Sequence, residues 1–175
     1  MKKITIGLFG TCGKSTWRND FINEYERKQI PYFNPQKDDW CPEDATIEAD
    51  HLVNDSILLF PVTDETYAFG SLAETGFSIL QALKLNERRD VIVMIAPDVK
   101  IDNINEMALT AMQIAGSQRK ESCRARALVL AHLKKLNYSN VWVVDNLNDM
   151  FALSLKLYNI QYLTEEAKLL HTIKL

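Results

Sequence analysis

Two stretches of this chain carry residue types at spacings that could do chemistry. In Ser71-Leu72-Ala73-Glu74 a glutamate stands in what reads as the first turn of a helix. A helix N-terminus favours the ionised carboxylate, the form an attacking nucleophile needs. The same four residues match the capping box S-x-x-E, in which Ser71 accepts from the Glu74 amide and Glu74 reaches back. Both readings are open on the pattern alone. The second stretch, Gly10-Thr11-Cys12-Gly13-Lys14-Ser15-Thr16, follows a strand-like run and precedes a helix-like one. A phosphate-cradling G-x-x-x-x-G-K-[ST] loop would need its first glycine at position 8, which is Leu8, and Gly7 misses by one residue. A milder role as an anion-binding turn ahead of a helix remains, as does a plain turn with Ser15 or Thr16 as N-cap. Cys12 reads as a small turn residue, with a reactive thiol as the sharper alternative.

Arg119, Lys120, Arg124, Arg126, Lys134 and Lys135 cluster against the single acid Glu121. A solvated helix face explains them, with Leu128, Val129, His132, Leu133 and Leu136 on the other side. The functional alternative is a phosphate contact from Arg124, together with Lys14 and Arg18. His51, His132 and His171 lack metal-ligand spacing, and Cys12, Cys41 and Cys123 form no C-x-x-C pair, so neither a metal nor a disulfide framework is expected. Met107 and Met112 fall at helical spacing with Ile104, Ala108, Ala111 and Ala115, which suits core packing or a subunit contact.

The elements that must position these residues follow from two apolar periods. Compact β-branched runs at Ile4 to Phe9, Ile57 to Val62 (broken by Pro61), Val91 to Ala96 and Val141 to Val144 read as strands, with Tyr32-Phe33 as a short fifth. Helical spacing covers Thr16 to Lys28, a segment starting at Pro42, Leu72 to Leu85, Asn105 to Leu136 with a break at Gly116, and Asn148 to Tyr158. The tail after Asn159 is weakly patterned. Strands alternating with helices predict right-handed crossovers and a five-stranded parallel sheet covered on both faces: a single three-layer α/β/α domain over 1–175, flavodoxin-like or Rossmann-like. Ligands of such sheets sit beyond the carboxyl ends of the strands, where the strand order reverses.

The 175 residues, 47% hydrophobic and 25% charged, have ordinary globular composition. A formal net charge of -3 gives no basic field, so no nucleic-acid partner is expected. No apolar run approaches the ~20 residues of a membrane span, and no signal peptide is evident. A soluble, cytoplasmic protein is the expectation.

Three stretches together resemble the compact branch of the nucleoside 2-deoxyribosyltransferase-like family. They are Leu8-Phe9-Gly10-Thr11-Cys12 with Ser15-Thr16-Trp17-Arg18; Tyr32-Phe33-Asn34-Pro35 with Asp38-Asp39-Trp40; and Gly70-Ser71-Leu72-Ala73-Glu74. The likeness covers about the first half of the chain. It implies cleavage of an N-glycosidic bond in a deoxynucleoside or deoxynucleotide, with Glu74 as nucleophile and a covalent glycosyl-enzyme that a second base or water resolves. Asp39, Asp64 and Tyr67 are candidates for protonating or binding the leaving base; a carboxyl group donating near neutrality needs a raised pKa. Gly10, Thr11, Cys12, Trp17, Asn34, Asp38, Trp40, Asp55, Gly70 and Ser71 are the matching substrate-binding positions, with a strand end at Asn34-Pro35, a polar turn with an aromatic lid at Asp38-Asp39-Trp40 and a turn or cap at Asp55 as the structural alternatives. Longer members carry an aspartate closer ahead of the glutamate, where this chain has Ala68 and Phe69, so Asp64 has to reach from further back. The expected partners are a small nucleoside or nucleotide and a free nucleobase, in a homo-oligomer without a cofactor. The alternatives are a P-loop-like nucleotide phosphotransferase and a non-catalytic nucleotide sensor on the same fold.

Overall fold

The computed structural model describes residues 2–84, 88–100 and 109–173. Five strands, β1 (Ile6–Leu8), β2 (Tyr32–Phe33), β3 (Ile57–Val62), β4 (Asp90–Ile95) and β5 (Val141–Val143), alternate with five helices. These are α1 (Arg18–Arg27), α2 (Asp44–Asn54), α3 (Phe69–Lys84), α4 (Leu109–Leu133) and α5 (Leu147–Ile173). All strand pairs are parallel, in the order β2-β1-β3-β4-β5. That is the flavodoxin-like order, which reverses between β1 and β3. Among the described residues no helix is long and apolar enough to cross a membrane.

Alternate residues of each strand feed opposite faces, although the runs are continuously apolar. Ile6, Leu8, Ile57, Leu59, Ile92 and Met94 pack with Trp17, Phe21 and Tyr25 of the α1 segment and Met150 and Leu157 of α5. Leu58, Phe60, Val62, Val91, Val93 and Ile95 pack under Leu72, Ile79 and Ala82 of α3 and Leu133 of α4, with Leu52 of α2 at the edge. The result is three layers, with α1 and α5 on one face and α2, α3 and α4 on the other.

Several boundaries differ from the sequence expectation. Pro61 does not break β3: it pairs in register with Met94 of β4. In a parallel strand the N–H and C=O of one residue point to the same side. The Pro61 carbonyl accepts from the Thr11 amide at 2.9 Å on the β1 side, where β1 has already ended, so no donor is missed. No side chain caps α1; its chain enters through a turn in which the Asn19 amide donates to the Thr16 carbonyl at 3.0 Å. The expected break at Gly116 is absent, because α4 runs through it with open space around its Cα. The tail after Asn159 continues α5 and is pinned by Gln161, whose buried amide donates to Asp90 at 2.7 Å. Residues 105–108, with Met107, lie outside the described residues, as does Leu85.

Candidate functional site

At the carboxyl edge of the sheet, the loop after β1 is built around Gly10 and Thr11. Gly10 has φ +92°, and a Cβ there would stand 2.5 Å from the Pro61 carbonyl oxygen. Thr11 is buried, and its Oγ1 accepts from the Thr63 amide at 2.9 Å, tying the ends of β1 and β3 together at the reversal of strand order. Its carbonyl accepts from Trp17 Nε1 (3.0 Å) and from the Arg18 guanidinium (2.6 Å).

Arg18 is 1% exposed. It donates through Nε to the Leu8 carbonyl (2.9 Å) and through Nη2 to Cys12 Sγ (3.3 Å), with its guanidinium 4.5 Å from the centre of the Trp17 ring. Trp17 and Arg18 therefore shape this loop from within. Neither is free to meet substrate or phosphate, contrary to the expectation for both. Burial pushes the Cys12 thiol up, against the pull of Arg18, and Glu48 and Glu74 push it the same way. Gln36 closes the loop from the β2 side, donating to the carbonyls of Gly13 (2.6 Å) and Ser15 (3.2 Å). Asn34 spends its Oδ1 on the Gln36 amide at 3.0 Å, which is a turn contact.

Lys14 is exposed and stands before the start of α1, so the Gly13-Lys14-Ser15 amides do not open that helix as a phosphate-cradling loop requires. Ser15 is no N-cap either. Its hydroxyl bonds the Glu65 carboxylate, which also accepts from Thr63 Oγ1 at 2.8 Å.

On the β3 side the organising group is Arg126, fully buried on α4. It donates to the carbonyls of Val62 (3.3 Å), Ala96 (3.0 Å) and Thr66 (2.6 Å), and to Ser122 Oγ (3.2 Å). The carbonyls where parallel strands end have lost their ladder partners, and a buried guanidinium satisfies several at once. Arg126 and Arg18 thus perform the same task at the ends of β3–β4 and β1. Of the other expected phosphate contacts, Arg124 is exposed beside Glu121 at 3.7 Å. Arg119 pairs with Asp98 at 2.7 Å.

Asp64 forms an ion pair with Lys100 at 2.8 Å, and that bond holds its carboxyl below the usual aspartate range. A group so held is an acceptor, so the expectation of Asp64 as proton donor is not met by this arrangement. Tyr67 stacks on Phe69 with ring centres 5.8 Å apart, and its carbonyl accepts from Ser122 Oγ at 2.8 Å.

Glu74 lies inside α3. The helix begins at Phe69, where Ala68 takes the left-handed φ of +54° and its carbonyl accepts the Leu72 amide at 3.0 Å. Ser71 is therefore a residue of the first turn, with its carbonyl receiving Thr75 Oγ1 at 2.6 Å, and the capping box is not formed. Glu74 is half-buried and has no hydrogen-bond or ion-pair partner among the described residues. Burial raises its pKa, and the nearby Glu48 carboxylate raises it further. The helix N-terminus accordingly does not hold Glu74 below its ordinary value, as the sequence pattern suggested. Glu48 of α2 is fixed by Trp40 Nε1 at 2.6 Å. Trp40 thus leans over α2, 52% exposed. Glu74, Glu48, Trp40 and Cys12 gather where α2, α3 and the loop after β1 approach one another, while Gly70 is exposed in the first turn of α3.

Asp38 and Asp39 are exposed in the loop after β2 and make no hydrogen bond or ion pair among the described residues. Asp55 does not belong to this edge. It precedes β3, at the amino end of the sheet, and pairs with His51 Nδ1 at 3.0 Å beneath α2, where His51 stacks on Phe33. Burial raises the Asp55 pKa against the pull of His51. A cleft of about 250 Å³ lined by Lys2, Arg88, Gln161 and Lys168 also lies at that amino end, away from Glu74.

Sequence reasoning did not single out Glu48, Glu65 or Gln36, and it placed Arg126 on a solvated face. Glu48 had a signal: it follows Asp44 at helical spacing, on the side of α2 that carries His51. The others depend on contacts between loops that no local pattern encodes. Among the described residues no group of three His, Cys, Asp or Glu side chains stands together as a metal site. Compared with models of known protein families the chain matches none, and no curated protein matches it.

Proposed function

We propose that this chain cleaves the N-glycosidic bond of a 2-deoxynucleoside or its nucleotide, with Glu74 as the attacking carboxylate. One observation carries the reading. Of the carboxylates gathered at or near this carboxyl edge, namely Glu48, Asp64, Glu65 and Glu74, Glu74 alone combines partial burial with freedom from any partner among the described residues. An unengaged, partly desolvated carboxylate beside a strand-order reversal is costly to folding and useful to chemistry. The three-stretch resemblance supplies the substrate class.

In the first step a Glu74 oxygen bonds the anomeric carbon as the carbon–nitrogen bond breaks, and the base departs with the bonding pair and takes up a proton. The glycosyl-enzyme ester is then attacked by water or by a second base, which frees Glu74. Asp64 is committed to Lys100 and Glu48 accepts from Trp40 Nε1, so neither is assigned as the proton donor. Trp40, held by Glu48, offers a ring to cover base or sugar. Chromatography of deoxynucleosides and their 5′-monophosphates, with and without an acceptor base, tests the reading. Free base released without acceptor identifies a hydrolase, and a new nucleoside formed only with acceptor identifies a transferase.

A further inference from the structure

The cleft at the amino end of the sheet, about 250 Å³ in volume, is built on a buried carboxylate. Two of its lining residues, Arg88 and Gln161, share that anchor. Asp90 is fully buried at the start of β4. It accepts from Arg88 Nε (2.9 Å) and Nη2 (2.8 Å), from Trp142 Nε1 (3.0 Å) and from Gln161 Nε2 (2.7 Å). A carboxylate taken out of water needs such donors, and in turn it fixes where they point. Arg88 is thereby oriented without being used up. One edge of its guanidinium lies on Asp90 and Nη2 also reaches the Ser139 carbonyl at 3.5 Å, while Nη1 has no hydrogen-bond partner among the described residues. A guanidinium held in place with donors to spare is a preorganised receptor for an anion.

Two more cations line the same cleft from other segments, Lys2 ahead of β1 and Lys168 on α5. Lys168 pairs with Glu165, which also accepts the Lys2 amide at 3.4 Å and so ties the start of the chain to α5. A lysine near the carboxyl end of a helix ordinarily offsets its carbonyls, and that accounts for Lys168 alone. It does not account for cations from three separate segments meeting at one cleft. With Asp90 counted alongside Glu165, three cations stand against two carboxylates, and the cleft is left positive. A phosphate monoester, with about −1.5 to −2 charge near neutrality, meets that excess better than a carboxylate does. Ile4 and Ile160 add an apolar edge, which suits an uncharged body beside the anionic group. The volume falls just below the ~300–1,000 Å³ of pockets for drug-sized ligands, so a sugar phosphate fits and a dinucleotide does not.

We propose that this amino-end cleft binds a small sugar phosphate, with the phosphate held by Arg88, Lys2 and Lys168 and the sugar against Ile4 and Ile160. This stands whether or not Glu74 attacks a sugar. Equilibrium dialysis of the full chain against ribose 5-phosphate, in a buffer free of other phosphate, is expected to show one molecule bound per chain. Removing Arg88 would strand the buried Asp90, so the variant of choice is Lys2→Gln together with Lys168→Gln, both at exposed positions. It should bind about tenfold more weakly or worse, with unchanged far-UV circular dichroism. Glu74→Gln should bind as the wild type does, which separates this cleft from the carboxyl edge. Inorganic phosphate should bind more weakly than the sugar phosphate, and free ribose not at all. No binding at millimolar ribose 5-phosphate overturns the proposal, as does binding that survives in the double variant or is lost in Glu74→Gln. Equal affinity for inorganic phosphate overturns the sugar phosphate as its ligand. If the double variant does not fold, Lys168→Gln alone decides, and undiminished binding there counts against the cleft.

Discussion

Gly10 and Pro61 are fitted to one another: the Pro61 carbonyl oxygen lies 2.5 Å from where any Cβ on Gly10 would be, and the ring nitrogen 2.9 Å from it. A proline in the central strand needs a neighbour that offers no acceptor to it, and a glycine with φ +92° lets the chain leave β1 there. This close fit sets where the loop carrying Thr11 and Cys12 leaves β1, and the Thr11 amide then bonds the Pro61 carbonyl at 2.9 Å.

Gly10→Ala is accordingly expected to cost about 3 kcal/mol, from a strained backbone and a collision with a carbonyl that cannot move aside. Urea unfolding midpoints measure it. The same change at Gly13, with φ +73° and no neighbour in the way, should cost about 1 kcal/mol.

Arg126→Met should destabilise by about 3 kcal/mol or more, because three strand-end and loop carbonyls lose their buried donor together. Arg126→Lys should recover little of that, since a compact ammonium lacks the planar fork that reaches several acceptors. Full recovery by lysine would mean that the charge matters there and the fork does not.

Burial raises the Glu74 pKa above its ordinary value of 4.5. Between the unfolded value and that raised value the native state binds more protons than the unfolded chain, so stability falls as pH rises through the window and stays lower above it. Glu74→Gln therefore should be more stable than wild type at neutral pH, with the gap closing below about pH 4. Thermal unfolding at several pH values reads this directly. The activity of the wild type should show an acid limb above the ordinary glutamate pKa, because the attacking form is the carboxylate.

The sheet was legible because parallel strands covered on both faces are written as compact β-branched runs. All five runs correspond to strands, and the run that contains Pro61 does so because the proline nitrogen faces Gly10, where β1 has already ended. The capping box at Ser71 was misleading for a physical reason. S-x-x-E is also an ordinary i,i+3 pair inside a helix, and Ala68 starts α3 earlier by adopting a positive φ that no propensity favours. The two buried arginines were illegible as such, since a sequence does not say where orphaned carbonyls will converge. The end of α5 lacked an apolar period because a polar residue, Gln161, holds it to Asp90 and Ser56, while Leu163 and Leu170 stay exposed.

The central claim is tested most directly by incubating wild type and Glu74→Gln with separate deoxynucleosides and their 5′-monophosphates and resolving the products by chromatography. The account predicts base release or exchange by the wild type, and a loss of about 10³-fold or more in a variant that still folds. Turnover that survives in Glu74→Gln, or a folded wild type that consumes none of these substrates with or without an acceptor base, would contradict it.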